Sequence, residues 1–124
     1  MLNKKFELNF AHGAKPIEPR GHNYNATIGH MLVINETQDH PEMVGVNSEG
    51  EHKHITGDYC VQGGAQALES GKLFHIDQND QAFGRNDQVF RFGTVNLKSA
   101  LFLVKLLDGN RYKGSHHLMS RQSY

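Results

Sequence analysis

The sequence is short of the residues that mark several protein classes. It has one cysteine, Cys60, three prolines and no tryptophan in 124 residues. A lone cysteine forms no internal disulfide and supplies no multi-thiolate zinc site, so the chain has no need of an oxidising compartment. An excess of charge of one sign is also missing. Thirteen Lys and Arg offset thirteen Asp and Glu, for a formal net charge of zero. The basic surplus of a nucleic-acid binder is absent, and no charge block marks a membrane surface or an acidic tail. Neither nucleic acid nor membrane is expected as a partner. Zero net charge removes one protection against self-association. The longest apolar run, Ala100–Val104 between Lys98 and Lys105, is too short to span a bilayer. Met1–Lys5 leads into no apolar signal core. A soluble, cytoplasmic chain of single-domain size is the expectation.

What is present is a coarse alternation of extended and helical segments. Lys5–Ala11, with Phe6, Leu8 and Phe10 alternating, reads as a strand. Gly13–Gly21, with Pro16 and Pro19, reads as a loop. Ala26–Gln38 carries Ile28, Met31 and Leu32 on one helical face, with Asn25 as candidate N-cap and Pro41 as the stop. Met43–Ser48 reads as a second strand. A helix follows from Gly57 to Leu68, with Asp58 as its cap and Gly71 past its end. Leu73–Asp77 is the clearest strand, and Gln78–Gly93 a polar loop. Thr94 is expected to cap a strong helix in which Leu97, Ala100, Leu101, Val104 and Leu107 recur at helical spacing. Ser115–Met119 is a weaker last strand. The order β-α-β-α-β-α-β points to an α/β fold with a parallel sheet.

In parallel sheets with helical crossovers, sites lie at the carboxyl ends of the strands. Lys15 follows the first strand, Glu49 and His52 the second; Asp77 ends the third, and Asp87 lies beyond it. One Glu, one His and two Asp could converge on a divalent cation. Mostly oxygen donors with one imidazole suit Mg²⁺, Mn²⁺ or Co²⁺. Each residue also has a plainer reading. Asp77 could cap a turn, Asp87 beside Asn86 is an ordinary solvated pair, and Lys15 beside Pro16 a solvated loop charge. His75, inside an apolar strand, reads as a hydrogen-bonded core histidine. His52 and His54 would share a face if extended. His116 and His117 could bind a metal, but adjacent residues in a strand point to opposite faces. Cys60, early in a helix, reads as a small core residue. No Gly-x-Ser-x-Gly, P-loop or Gly-x-Gly-x-x-Gly element is present.

Several runs are distinctive: Lys15-Pro16-Ile17-Glu18-Pro19-Arg20-Gly21, Gly45-Val46-Asn47, Ala65-Gln66-Ala67-Leu68, Gly71-Lys72-Leu73-Phe74-His75-Ile76-Asp77, Asp87-Gln88, Arg91-Phe92-Gly93 and Phe102-Leu103-Val104. Together, and in order from Phe6 to His117, they resemble xylose isomerase of the actinobacterial type. That family is a TIM (β/α)8 barrel that interconverts aldose and ketose sugars with two divalent cations. The resemblance implies a half-barrel, strands five to eight, occupying residues 1–124 as one domain. It implies that Lys15 hydrogen-bonds a substrate oxygen and is the catalytic group. Glu49 would bridge the two metals, His52 and Asp87 would ligate the second, and Asp77 the first. Three positions depart from the family pattern: Gly13 and Met119 replace strand-end carboxylates, and Val89 replaces the second aspartate of an Asp-x-Asp pair. The ring-opening histidine and the tryptophans that wall the sugar pocket belong to the half not represented here.

These replacements shape the functional expectation. The main reading is a xylose isomerase-derived half-barrel with a weak residual Mg²⁺ or Mn²⁺ site, Co²⁺ being possible, and little or no isomerase activity alone. A sugar is expected as substrate only if the chain is active. The alternative is a non-catalytic self-association module, a homodimer that rebuilds a barrel-like sheet. A third reading, a full isomerase assembled from two copies, suffers most from Gly13. The substituted ligands and the tail Ser120–Tyr124 read as an engineered, selected or degenerate fragment.

Overall fold

The computed structural model describes residues 8–16, 21, 23–49, 60–82 and 89–120. Five strands and three helices follow in order: β1 (Phe10–Gly13), α1 (Ile28–Glu36), β2 (Val44–Glu49), α2 (Cys60–Glu69), β3 (Leu73–Asp80), β4 (Phe90–Arg91), α3 (Leu97–Gly109) and β5 (Ser115–Leu118). A single 3₁₀ turn, Pro41–Met43, precedes β2. β1, β2, β3 and β5 lie side by side, all parallel. The expected alternation and the parallel sheet are therefore present, in the order of consecutive strands of a (β/α)8 barrel.

The helices cover one face of the sheet. Val46 of β2 and Leu73 of β3 pack with Ile28 and Met31 of α1 and Ala67 of α2. Ile76 of β3 packs with Leu103 of α3, and Val61 of α2 lies against them. Leu107 and Tyr112 touch both groups and join them into one layer. Within that layer Asn35, fully buried, donates from Nδ2 to Gly45 O at 3.0 Å and pins α1 to β2. Gly71, at φ +67°, takes the left-handed turn that ends α2, as its place after the helix predicts.

Several boundaries differ from the sequence reading, each for a local reason. β1 begins at Phe10 rather than Lys5; residues 1–7 lie outside the described part. The cap of α1 is Thr27, whose side chain accepts from His30 N. Asn25 instead bonds its N–H to Asn23 Oδ1, closing a small turn. The cap of α3 is Asn96, whose Oδ1 accepts from Ser99 N at 3.0 Å. Thr94 closes the preceding turn onto Arg91 O. Asp58 lies outside the described residues. The buried side of α3 is Ser99, Ala100 and Leu103, whereas Leu97, Leu101 and Val104 are exposed. Of the five residues whose spacing marks the helix, Ala100 and Leu107 pack inward and the other three do not.

The largest departure is the segment read as a polar loop from Gln78. Strand β3 runs on through Gln78, Asn79 and Asp80, and β4 pairs antiparallel with its end. These polar residues and Gln81 are buried; for Asp80 the burial is matched by hydrogen bonds, whereas Asn79 Nδ2 makes no hydrogen bond. Asp80 Oδ1 accepts from Gln81 N at 3.0 Å, and its Oδ2 accepts from Val95 N at 2.8 Å and Asn96 N at 2.9 Å. One carboxylate thus ties the carboxyl end of β3 to the start of α3. Replacing Asp80 by Ala orphans three backbone N–H groups. We expect a loss of about 3 kcal/mol or more in urea unfolding, with Asp80→Asn losing about half as much.

Candidate metal centre at the carboxyl end of the sheet

The face of the sheet opposite the helices is polar, and one irregularity makes it so. Val46 pairs with Leu73, yet the next residue, Asn47, pairs with His75. β3 therefore carries one residue, Phe74, that β2 does not match, a β-bulge that shifts the alternation. Leu73 and Ile76 both point to the helices, while His75 and Asp77 fall on the polar face. Gly45 makes room for the bulge. A Cβ there would lie 2.6 Å from Lys72 O and inside contact distance of the Phe74 ring.

Register then gathers polar side chains from three strands. Asn47 and Glu49 of β2 sit opposite His75 and Asp77, which in turn sit opposite Ser115 and His117 of β5. Asp77 is the hub. Its Oδ2 accepts from Asn47 Nδ2 at 2.7 Å. Its Oδ1 lies 3.1 Å from His75 Nε2 and 3.5 Å from His117 Nδ1. His75 Nδ1 meets Ser115 Oγ at 2.6 Å. The two imidazole rings stand edge to face, centroids 4.6 Å apart. Tyr112, from the helix side of the sheet, steadies β5: its hydroxyl donates to Ser115 O at 3.1 Å, and burial pushes its phenol pKa up. Among the described residues, His75, Asp77 and His117 are the group of three whose donor atoms converge, all within 4.8 Å of one another.

The sequence-predicted residues fall as follows. Glu49 and Asp77 are register neighbours on the polar face. Lys15 stands two residues beyond β1 at the same end of the sheet, half-buried, its carbonyl accepting from Asn23 Nδ2. His52, His54 and Asp87 lie outside the described residues. Gly13 is the register partner of Asn47, and nothing lies within 4 Å of where its Cβ would be. Open space therefore stands on β1 where the family pattern calls for a carboxylate. His12 is no substitute for it: it pairs with Val46 and shares that residue's helix-facing side. Met119 continues the pairing of β5, its N–H bonding Gln78 O at 3.0 Å. Val89 holds φ of +46°, a strained backbone for a β-branched residue and one that aspartate tolerates better.

The sequence reading took His75 for a core histidine, set His117 aside with its neighbour His116, and gave Asn47 and Ser115 no role. Their signal was period two: His75-x-Asp77 and Ser115-x-His117 each place both residues on one face of a strand. His116 obeys the same rule in reverse. It lies on the other side, beside Leu107, Asp108 and Tyr112.

Parallel strands in chain order, helices on one face and polar donors at the carboxyl ends define a section of a (β/α)8 barrel. Xylose isomerases from Thermus thermophilus, Thermus caldophilus and Streptomyces lividans are 52%, 48% and 45% identical to the chain over 112 residues. Each alignment takes in 90% of this chain. The chain is thus homologous to xylose isomerase over nearly its whole length, and it spans 28–29% of these relatives. No protein-family model matches it. Among the described residues, no helix is long and apolar enough to cross a membrane.

The Gly45–Phe74 contact yields a test of the bulge. Gly45→Ala should cost about 1–3 kcal/mol by urea unfolding, the usual penalty of overpacking. Gly13→Ala, placed in open space, should stay within about 0.5 kcal/mol of the parent.

Proposed function

We propose that the chain is a xylose isomerase-derived section of barrel that keeps divalent-cation binding at the carboxyl end of its sheet. Alone it interconverts aldose and ketose sugars slowly or not at all. The observation that carries this reading is Asp77: a carboxylate held by Asn47, faced by two imidazoles and flanked in register by Glu49. The donor set suits one cation rather than two. Charge is the reason, since a pair of divalent ions needs several carboxylates to balance it, and β1 contributes none at Gly13. A bound Mg²⁺, Mn²⁺ or Co²⁺ would supply Lewis acidity toward sugar oxygens. Lys15, at the same end, is the group we assign to holding a substrate oxygen. His52 and Asp87 complete the ligand set in this reading. A single unpaired cysteine suits a cytoplasmic setting.

Equilibrium dialysis with Mn²⁺ tests the site. We expect binding in the millimolar range or tighter, weakened at least tenfold in Asp77→Ala. Absence of binding at millimolar metal would sink the proposal. Gly13→Glu should tighten Mn²⁺ binding about tenfold or more by restoring a carboxylate. A coupled xylose assay with Mg²⁺ should show no turnover above background for the parent chain.

A second reading, self-association, is favoured by the sheet edges. Among the described residues, β1 pairs only with β2 and β5 only with β3. Both edge strands are largely exposed, Phe10 and Leu118 within them included, as is Leu8 just before β1. Unpaired parallel edges are an invitation to a further strand. Two copies related by a two-fold axis would cover one another's edges and rebuild a closed sheet. Sedimentation velocity over a wide concentration range should show a dimer, and a strictly monomeric chain would exclude it.

A further inference from the structure

We propose that His75, Asp77 and His117 form a cation site of two imidazoles and one carboxylate that takes Zn²⁺ or Co²⁺ in preference to Mg²⁺. The inference rests on the reading that cation binding persists at this end of the sheet. It differs in donor set: the resemblance assigns Glu49, His52 and Asp87 beside Asp77, and neither His75 nor His117.

Two of the three donor separations already match those of a bound cation, and all three donor atoms lie within 4.8 Å of one another. Ligand bonds of about 2.0–2.2 Å in a tetrahedral arrangement put donor atoms about 3.3 Å apart. Asp77 Oδ1 lies 3.1 Å from His75 Nε2 and 3.5 Å from His117 Nδ1, on either side of that spacing. Strand geometry fixes these separations, since His75 and Asp77 are two apart on β3 and His117 is the register partner of Asp77.

The outer atoms are engaged as well. Ligating imidazoles usually bond through their second nitrogen, and ligating carboxylates are themselves hydrogen-bonded. Ser115 Oγ occupies His75 Nδ1, and Asn47 Nδ2 occupies Asp77 Oδ2. Both leave the inner atom, Nε2 or Oδ1, directed at the shared centre. His75 and Asp77 are mostly buried, with side chains 17% and 13% exposed, and His117 is 70% exposed. Two ligands are therefore anchored, while the third is open to solvent and leaves a position for water. Nitrogen donors set the preference. Mg²⁺ demands oxygen ligands and sheds water reluctantly, whereas imidazole suits Zn²⁺ and its neighbours in the first transition row.

The test is calorimetric titration of the full chain with Zn²⁺ and Mg²⁺, and a visible-absorption titration with Co²⁺. We expect Zn²⁺ to bind at least tenfold more tightly than Mg²⁺ and Co²⁺ to give the intense bands of a four- or five-coordinate ion. His117→Ala, an exposed position that spares the fold, should weaken Zn²⁺ at least tenfold. His116→Ala, the neighbour on the opposite face, should leave Zn²⁺ affinity unchanged. Equal losses in the two variants would mean non-specific surface binding and would overturn the assignment. Zn²⁺ binding that survives His117→Ala but falls in Glu49→Gln would overturn it too, while leaving a residual cation site in place. Failure of all four ions, Mn²⁺ included, would remove the broader reading together with this one.

Discussion

The polar face depends on the fit between Gly45 and Phe74. Alternation along a strand sends every second side chain to the same face. From Leu73, which packs against the helices, strict alternation would send His75 and Asp77 into the apolar layer and Ile76 out of it. The bulge at Phe74 reverses the phase. It lets one strand contribute Leu73 and Ile76 to the core and His75 and Asp77 to the opposite face. The missing Cβ of Gly45 is the condition for it, because backbone and ring already fill that space. A single hydrogen substituent on β2 thus decides which residues of β3 can meet those of β5.

The fold was legible where periodicity and local chemistry agreed. The helices were found because apolar residues recur at helical spacing, and Gly71 marks the end of α2 as its backbone requires. Legibility failed where polarity was taken for exposure. Gln78, Asn79 and Asp80 look like a loop, yet Asp80 is buried because three N–H groups neutralise the cost of hiding its charge. It failed again on α3, whose apolar residues run round more than one side. Packing against Ile76 selects Leu103, and Leu97, Leu101 and Val104 are left outward.

The site was legible in a different way. Lys15, Glu49 and Asp77 were singled out by their places at strand ends and given roles by the resemblance, and the structure sets all three at one end of the sheet. The bonds around Asp77 came from register, which no single strand contains. His75 was read as a hydrogen-bonded core histidine; its bonds to Ser115 and Asp77 agree with the first part, but it lies on the polar face rather than in the core. What the strand alone could not show was His117 arriving at the same carboxylate from β5.

Charge explains why the carboxylates that the family pattern would place at Gly13, Val89 and Met119 bear on cation binding more than on the fold. Gly13, Val89 and Met119 are all tolerated because none is needed for the apolar layer on the other side of the sheet. The cost falls on the polar face. Removing carboxylates lowers the negative charge available to a divalent ion, and two such ions side by side lose most, because their mutual repulsion is then left uncompensated. A single ion loses least, because imidazoles can supply the remaining donors without further charge. The arrangement around Asp77, one carboxylate flanked by two imidazoles and fixed by Asn47 and Ser115, is what such a face can still build.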